Sequence, residues 1–161
     1  MKGLAMRCFL LAFMIVLAPA AAQAGGMERD ALAAVNAARI KAGCPALVLN
    51  EKLQAAAEGH ARAMSAQNFF SHTGQDGSKL KDRIKRSGYA WRALAENIAA
   101  GQSSAAEVVA NWLASKGHQK NILNCAYVET GLAVVHDPND APLKGYSHPF
   151  HYYWVQTFGK P

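Results

Sequence analysis

The spacing of apolar residues changes after Cys125, and this change strongly limits the possible folds. Before it, apolar residues recur at intervals of three and four, as in segment 53–64, which predicts amphipathic helices. After it, segments 127–136 and 151–158 are rich in β-branched and aromatic residues and predict strands. Helices therefore precede strands, without βαβ alternation. The pattern predicts an α+β domain in which helices pack on an antiparallel sheet.

The predicted helices are bounded by residues that start or stop a helix. Asn50 is a good N-cap, and Ser104 opens a capping box, because their side chains can accept hydrogen bonds from free backbone N–H groups. Gly43, Gly88 and Gly117 are expected to stop the helices that precede them. The predicted helices cover residues 27–42, 50–68, 78–87 and 104–117, with a short apolar connector at 46–49 and irregular chain at 89–101.

The N-terminus predicts a cleavable signal peptide. Lys2 and Arg7 precede an apolar run at 8–18 that is too short to span a bilayer, which disfavours a retained membrane anchor. Small residues follow and end at Ala24 in a small-x-small pattern typical of signal peptidase sites. We therefore expect a mature single domain over residues 25–161. It would be secreted or periplasmic, monomeric and without a transmembrane anchor.

Cleavage would leave two of the three cysteines, Cys44 and Cys125. An even number of cysteines in an oxidising compartment favours a disulfide bond. The bond would close a loop of about 80 residues and contribute up to about 4–5 kcal/mol in the chain-entropy model. The alternative is a pair of buried free thiols.

The charge of the chain does not point to a nucleic-acid partner. The formal net charge is +6, and the basic residues are scattered. The densest basic run, residues 79–86, carries leucine and isoleucine at i, i+4 and predicts an ordinary solvated helix face.

Four segments together resemble one known family. They are FFSH at 69–72, AENIAAG at 95–101, WLASKGHQKNIL at 112–123 and YWVQTFG at 153–159. In this order and spacing they resemble the CAP superfamily (cysteine-rich secretory proteins, antigen 5 and pathogenesis-related 1), and in detail its bacterial branch. The resemblance covers essentially all of residues 25–161 and implies a three-layer α-β-α sandwich.

The resemblance also implies a polar cavity, which in this family is lined by two histidines and two acidic residues and in some members holds a divalent metal. His72, Glu96 and His118 match three of these positions, with Asn97 beside them. The fourth position, normally acidic, is Ser115. Two imidazoles and one carboxylate are a reasonable zinc set that leaves a fourth position for water.

Three interpretations of this cavity remain open at the level of sequence. A bound zinc could activate water for hydrolysis, the histidines and the glutamate could act as an acid–base pair without metal, or the cluster could simply stabilise the loops. Our prediction is a non-enzymatic module that binds a small-molecule, lipid or envelope ligand. The alternatives are a metal-dependent hydrolase of peptide or cell-envelope substrates, and a structural or interaction protein of the envelope. Fold resemblance cannot choose between them.

The other histidines have simpler explanations. His60 lies on the apolar stripe of the second helix, which favours a hydrogen-bonded core or cavity-rim residue. His136, His148 and His151 lie near the last hairpin, among aromatic residues that favour packing. His148 and His151 could also bind adventitious metal.

Overall fold

The computed structural model describes residues 20–161, with side chains from residue 25. The predicted signal peptide and Cys8 lie outside the described residues, apart from the backbone of residues 20–24. Among the helices that are described, none is long and apolar enough to cross a membrane. The elements are α1 (Ala20–Lys41), β1 (Val48–Leu49), α2 (Glu51–Ala66), α3 (Leu80–Arg86), β2 (Ala93–Ala100), α4 (Ala105–Ala114), α5 (Lys116–Ile122), β3 (Glu129–His136) and β4 (Tyr152–Lys160).

The four strands form one sheet in the order β1-β3-β4-β2. The three long strands are antiparallel, as predicted, with Ala133 opposite Val155 and Ile98 also opposite Val155. The short β1, which we predicted only as a connector, pairs with β3 in parallel, so the sheet is mixed.

Helices cover both faces of this sheet because successive side chains of a strand point to opposite sides. Trp154 and Leu132 pack with residues of α1, α4 and α5 in one apolar cluster. Val155 and Ala133, their neighbours along the strands, pack with α2 in a second cluster. The α+β class and the helix–sheet–helix layering are therefore confirmed.

Strand β2 corrects the prediction of irregular chain at residues 89–101. Its sequence, ALAENIAA, has one β-branched residue and no aromatic residue, so its strand propensity is low. The strand forms because it pairs with β4 along its whole length, from Ala93 opposite Lys160 to Ala100 opposite Tyr153. Tertiary pairing overrides local propensity here, and it places Glu96 near the middle of an edge strand of the sheet.

The end of α4 also differs from the prediction. Asn50 and Ser104 cap α2 and α4 as expected, each accepting backbone N–H groups. Gly117, however, does not stop the fourth helix, because α4 already ends at Ala114 and Ser115 adopts an extended conformation. A new helix, α5, starts at Lys116 and contains Gly117. This break separates His118 from α4.

A disulfide and a buried arginine fasten the C-terminal side of α1 to the chain that follows α5. Cys44 and Cys125 are bonded, with their Cα atoms 4.9 Å apart, which confirms the predicted pairing. Arg39 is fully buried. Its guanidinium donates to the carbonyl oxygens of Ile122 at 2.6 Å and of Tyr127 at 2.7 Å.

Candidate functional site

The loop before α3 brings His72 into contact with Glu96 of β2. His72 Nδ1–H donates to Glu96 Oε1 at 2.8 Å. The Glu96 side chain is 3% exposed, whereas the His72 side chain is 57% exposed. The carboxylate therefore fixes the ring from below, and the Nε2 edge is the part of the imidazole left for a ligand.

Arg83 is the third member of this cluster, and the prediction for segment 79–86 is wrong at this residue. The side chain is 7% exposed, and its Nη2 donates to Glu96 Oε2 at 2.7 Å. Its Nη1 donates to the carbonyl oxygens of His72 and Ser78, both at 3.1 Å. One guanidinium thus holds both the carboxylate and the loop that carries the imidazole.

A sequence signal for Arg83 was present. Leu80, Arg83 and Ile84 follow the spacing i, i+3, i+4 of a buried helix face. Arg83 and Ile84 are buried, while the lysines of the run are exposed. A basic residue at a buried-face position indicates a buried ion pair, because an unpaired buried charge is costly.

Opposing effects set the charge of Glu96. Burial raises the pKa of the carboxyl, but the hydrogen bond from His72 and the charge and hydrogen bond of Arg83 together bring it below its ordinary value. Glu96 is therefore a carboxylate at neutral pH. Its two oxygens accept hydrogen bonds from His72 and Arg83.

His60 supports the loop from α2. It is 1% exposed, and its Nε2–H donates to the carbonyl oxygen of Ser71 at 2.9 Å. Burial lowers the pKa of this imidazole, an effect that the negative charge of Glu96 only partly offsets. A neutral, hydrogen-bonded core histidine agrees with our interpretation of His60.

His118 is half-buried on α5. Burial, and to a smaller extent the charge of His72, lower the pKa of its imidazole. Asn97 Nδ2 donates to the carbonyl oxygen of His118 at 3.3 Å, and Asn121 Nδ2 donates to Asn97 Oδ1 at 2.9 Å. Asn97 therefore ties α5 to β2, and Ser115, the other predicted cavity neighbour, lies at the break between α4 and α5.

The arrangement of these side chains does not fit the zinc set that the resemblance implies. Both oxygens of Glu96 are taken, one by Arg83 and one by His72. In the part of the chain that the structure describes, no three side chains of His, Cys, Asp or Glu are grouped so that they could hold a metal ion. A three-ligand zinc site would require His72 to release Glu96 Oε1, because that oxygen and the imidazole are now bonded to each other.

An aromatic rim, formed by Phe70, Tyr146 and Phe150, lies beside the loop of His72. Phe70 precedes His72 by two residues, and its ring meets Phe150 edge-on with centroids 6.0 Å apart. Tyr146, which is 56% exposed, meets Phe150 at 4.9 Å. Asp140 holds the segment by accepting the backbone N–H of Phe150 at 3.0 Å and that of His151 at 2.9 Å. These aromatic residues were not among the predicted site residues.

Of the histidines near the last hairpin, His136 and His151 contact neighbouring residues. His136 stacks on Tyr152 with ring centroids 4.4 Å apart. His151 has a positive φ of 61°, and its Nδ1 lies 2.9 Å from the carbonyl oxygen of Asp137. His148 is exposed.

Comparison with known proteins identifies relatives in bacteria. The uncharacterized protein YkwD of Bacillus subtilis is 34% identical over 108 residues, which cover 67% of this chain and 42% of YkwD. The uncharacterized membrane protein YlbC of the same species is 33% identical over 107 residues, which cover 66% of this chain and 31% of YlbC. The chain therefore spans less than half the length of these two relatives.

Solved structures share the fold, and a family model covers most of the chain. An extracellular protein containing a SCP domain from Bacillus anthracis has a TM-score of 0.74 at 25% identity, covering 91% of this chain and 45% of that protein. An outer surface protein from Borrelia burgdorferi has a TM-score of 0.71 at 20% identity, covering 83% of this chain and 94% of that protein, and supports the fold alone. The model of the cysteine-rich secretory protein family, CAP, matches residues 32–158. The chain therefore belongs to the CAP family.

Proposed function

We propose that this protein is an exported, non-enzymatic binding module that holds its ligand over the cluster of His72, Glu96 and Arg83. The observation that carries the proposal is the contrast in exposure within the cluster. The imidazole is 57% exposed, whereas the carboxylate and the guanidinium that fix it are 3% and 7% exposed. A hydrogen-bonding group that is already fixed loses little entropy when a ligand binds.

The surroundings of His72 indicate the chemistry of the ligand. The imidazole edge offers one directional hydrogen bond. The aromatic rim, which includes Phe70 of the same loop, offers flat apolar surface, since Phe70 is 37% and Tyr146 is 56% exposed. These features favour a ligand with a polar group next to a flat or apolar face, such as a sugar of the cell envelope or a sterol.

A hydrolase is the second candidate, and the contact between His72 and Glu96 favours it. A carboxylate that orients an imidazole is the arrangement of a general base. Such a reaction would have to use water directly, because the arrangement of Glu96 does not fit a zinc set. We give binding preference because one base without an activated nucleophile or an oxyanion-stabilising group explains only part of a hydrolytic mechanism.

The proposal extends to location and assembly. The disulfide between Cys44 and Cys125 supports an oxidising compartment, outside the cell or in a periplasm. The extracellular relative from Bacillus anthracis also supports such a location. We propose a monomer that engages an envelope ligand and no nucleic acid.

Titration of the protein from residue 25 onward with two probes, monitored by ¹⁵N NMR, tests the binding proposal. N,N′-diacetylchitobiose represents sugars and cholesteryl sulfate represents sterols. We expect one of them to shift the amide signals of the 69–78 loop and of β2. The shifts should be lost in His72→Gln and kept in His136→Gln, which changes an exposed histidine at the end of β3. Absence of shifts with both probes contradicts this ligand class, and peptide or envelope hydrolysis that depends on His72 would establish the second candidate.

Calorimetric zinc titration tests the metal hypothesis separately. Because His72 and Glu96 Oε1 are bonded to each other, we expect that zinc at micromolar concentrations does not bind to a site made by His72, Glu96 and His118. Tight binding of one zinc that disappears in His72→Ala/His118→Ala would show that the cluster rearranges around a metal. It would then favour the metal-dependent hydrolase over the binding module.

A further inference from the structure

A second concave site lies between α2, α3 and the turn at residues 74–78. It is an open cleft of about 380 Å³, a volume typical of the smaller ligand sites of proteins. Its walls include His60 and Arg83 but none of His72, Glu96 and His118. The cleft is therefore distinct from the exposed imidazole over which the proposed ligand lies.

The floor of the cleft consists of small residues of α2. The smallest of them, Gly59, is not required by packing within the protein. Ala55, Ala56, Gly59 and Ala63 line this side. Gly59 lies within α2, where glycine is less favourable than alanine. A Cβ at Gly59 would meet no atom within 4 Å. No neighbour in the fold requires a glycine here, whereas an occupant of the cleft would.

Arg83, on the opposite wall, has an unused donor. Its Nη atoms are bonded to Glu96, His72 and Ser78, but its buried Nε–H has no hydrogen-bond partner. The residue is 8% exposed. A buried donor without a partner destabilises the protein, and an acceptor brought in by a ligand would remove that penalty.

The rim of the cleft adds a second guanidinium. Arg86 also lines it, and its Nη1 lies 3.4 Å from Asp76 Oδ2, at the long limit of a hydrogen bond. Both groups of that pair are more than half exposed. Asp76 also lines the cleft, so an incoming anion would replace it as the partner of Arg86, and a guanidinium matches the two oxygens of a carboxylate.

We propose that this cleft binds a carboxylate on a small ligand, of the kind carried by a free amino acid or by the carboxyl terminus of a peptide. Arg83 and Arg86 receive the carboxylate. The small floor at Gly59 leaves room for the atoms next to the carboxylate. The site does not depend on the binding proposed over His72.

The test is an NMR titration of the protein from residue 25 onward, using the Nε–H signal of Arg83 and the backbone amides of Gly59 and Gly74. The probes are acetyl-L-Ala-L-Ala with a free carboxylate, the same dipeptide with a carboxyl-terminal amide, and free L-alanine. We expect saturable shifts with the free carboxylate and binding about tenfold weaker or less with the amide, because one charge-assisted bond is lost. If L-alanine binds as tightly as the dipeptide, the ligand is a free amino acid; if the dipeptide binds more tightly, it is a peptide terminus.

Three variants make the result specific. Gly59→Leu should place a side chain where the ligand lies and abolish the shifts while the protein remains folded, and Arg86→Gln should weaken binding about tenfold. Lys85→Gln removes the same charge from the same helix outside the cleft and should bind like the unmodified protein. Absence of shifts, equal binding of acid and amide, or undiminished binding by Gly59→Leu would each overturn the proposal.

Discussion

At the scale of the residue, the cluster of His72, Glu96 and Arg83 depends on one buried guanidinium. Arg83 touches the carboxylate of Glu96 and the backbone of the loop that carries His72. The loop has a second support in the hydrogen bond from His60 to the carbonyl oxygen of Ser71. The position of the exposed imidazole is therefore set by buried side chains that the ligand proposed over His72 would not touch.

Replacement of Arg83 tests this dependence. In Arg83→Met the carboxylate of Glu96 stays buried without its cationic partner, so we expect the free energy of unfolding to fall by about 3–5 kcal/mol. The double variant Arg83→Met/Glu96→Gln should recover part of that loss, because no buried charge remains. Urea unfolding at pH 7 measures both, and Lys85→Met, at an exposed position of the same helix, should change little. A loss under about 1 kcal/mol in the single variant would contradict the buried ion pair.

We expect His60 to make the free energy of unfolding depend on pH. Burial lowers the pKa of this imidazole in the folded protein, so below about pH 6.5 the unfolded chain binds a proton that the folded protein does not. Stability is therefore lost as the pH falls from about 6.5 towards the folded pKa. Glu96, whose folded pKa is also lowered, adds to the loss only below about pH 4.3. In His60→Gln the slope between pH 6.5 and 5 should decrease, whereas the exposed control His148→Gln should retain it.

At the scale of the element, helix α2 and strand β3 approach so closely that one strand position admits only glycine. A Cβ at Gly131 would collide with the backbone of Leu53 and Gln54. Thr157 strengthens this junction, since its hydroxyl donates to the Leu53 carbonyl oxygen at 3.1 Å. The close approach carries α2 onto the sheet, with His60 about two helical turns further along.

Gly131 and Gly59 therefore form a matched pair for substitution by alanine. Gly131→Ala should lower the free energy of unfolding by about 1–3 kcal/mol, because the backbone of α2 must move. Gly59→Ala should raise it by about 0.5–1 kcal/mol, because the new Cβ meets open space and alanine favours the helix. Chemical denaturation of the two variants measures both changes. Equal effects of the two would show that the contact between α2 and β3 does not restrict position 131.

How far the elements could be predicted depended on whether local pattern or long-range pairing forms them. The stripe of Leu53, Ala57, His60 and Met64 predicted the buried face of α2 correctly, because helix periodicity is a local property. Strand β2 was not predicted, because its alanine-rich sequence forms a strand only by pairing with β4. The approach of His72 to Glu96 was predictable only through the family resemblance, and Arg83 was assigned to solvent.

At the scale of the whole molecule, the disulfide and the hydrogen bonds of Arg39 join α1 to the chain after α5. They hold the two ends of the helical region together. The disulfide joins residues 81 positions apart. Arg39 reinforces the same junction with hydrogen bonds to the carbonyl oxygens of Pro45, Ile122 and Tyr127. The site residues His72, Glu96 and His118 all lie within the closed loop, so the closure contributes to the stability of the fold that carries them.

Removing the disulfide separates the stability of the molecule from the geometry of the site. In Cys44→Ala/Cys125→Ala we expect the free energy of unfolding to fall by about 2–5 kcal/mol, because the unfolded chain regains the freedom of the open loop. The contact between His72 and Glu96 should persist in the folded fraction, because Arg83 and His60 hold it independently of the bridge. Urea unfolding measures the first effect, and the ¹⁵N signals of the His72 ring measure the second. If the ring signals change in the folded variant, the bridge positions the site; if unfolding is unchanged, the hydrogen bonds of Arg39 alone close the loop.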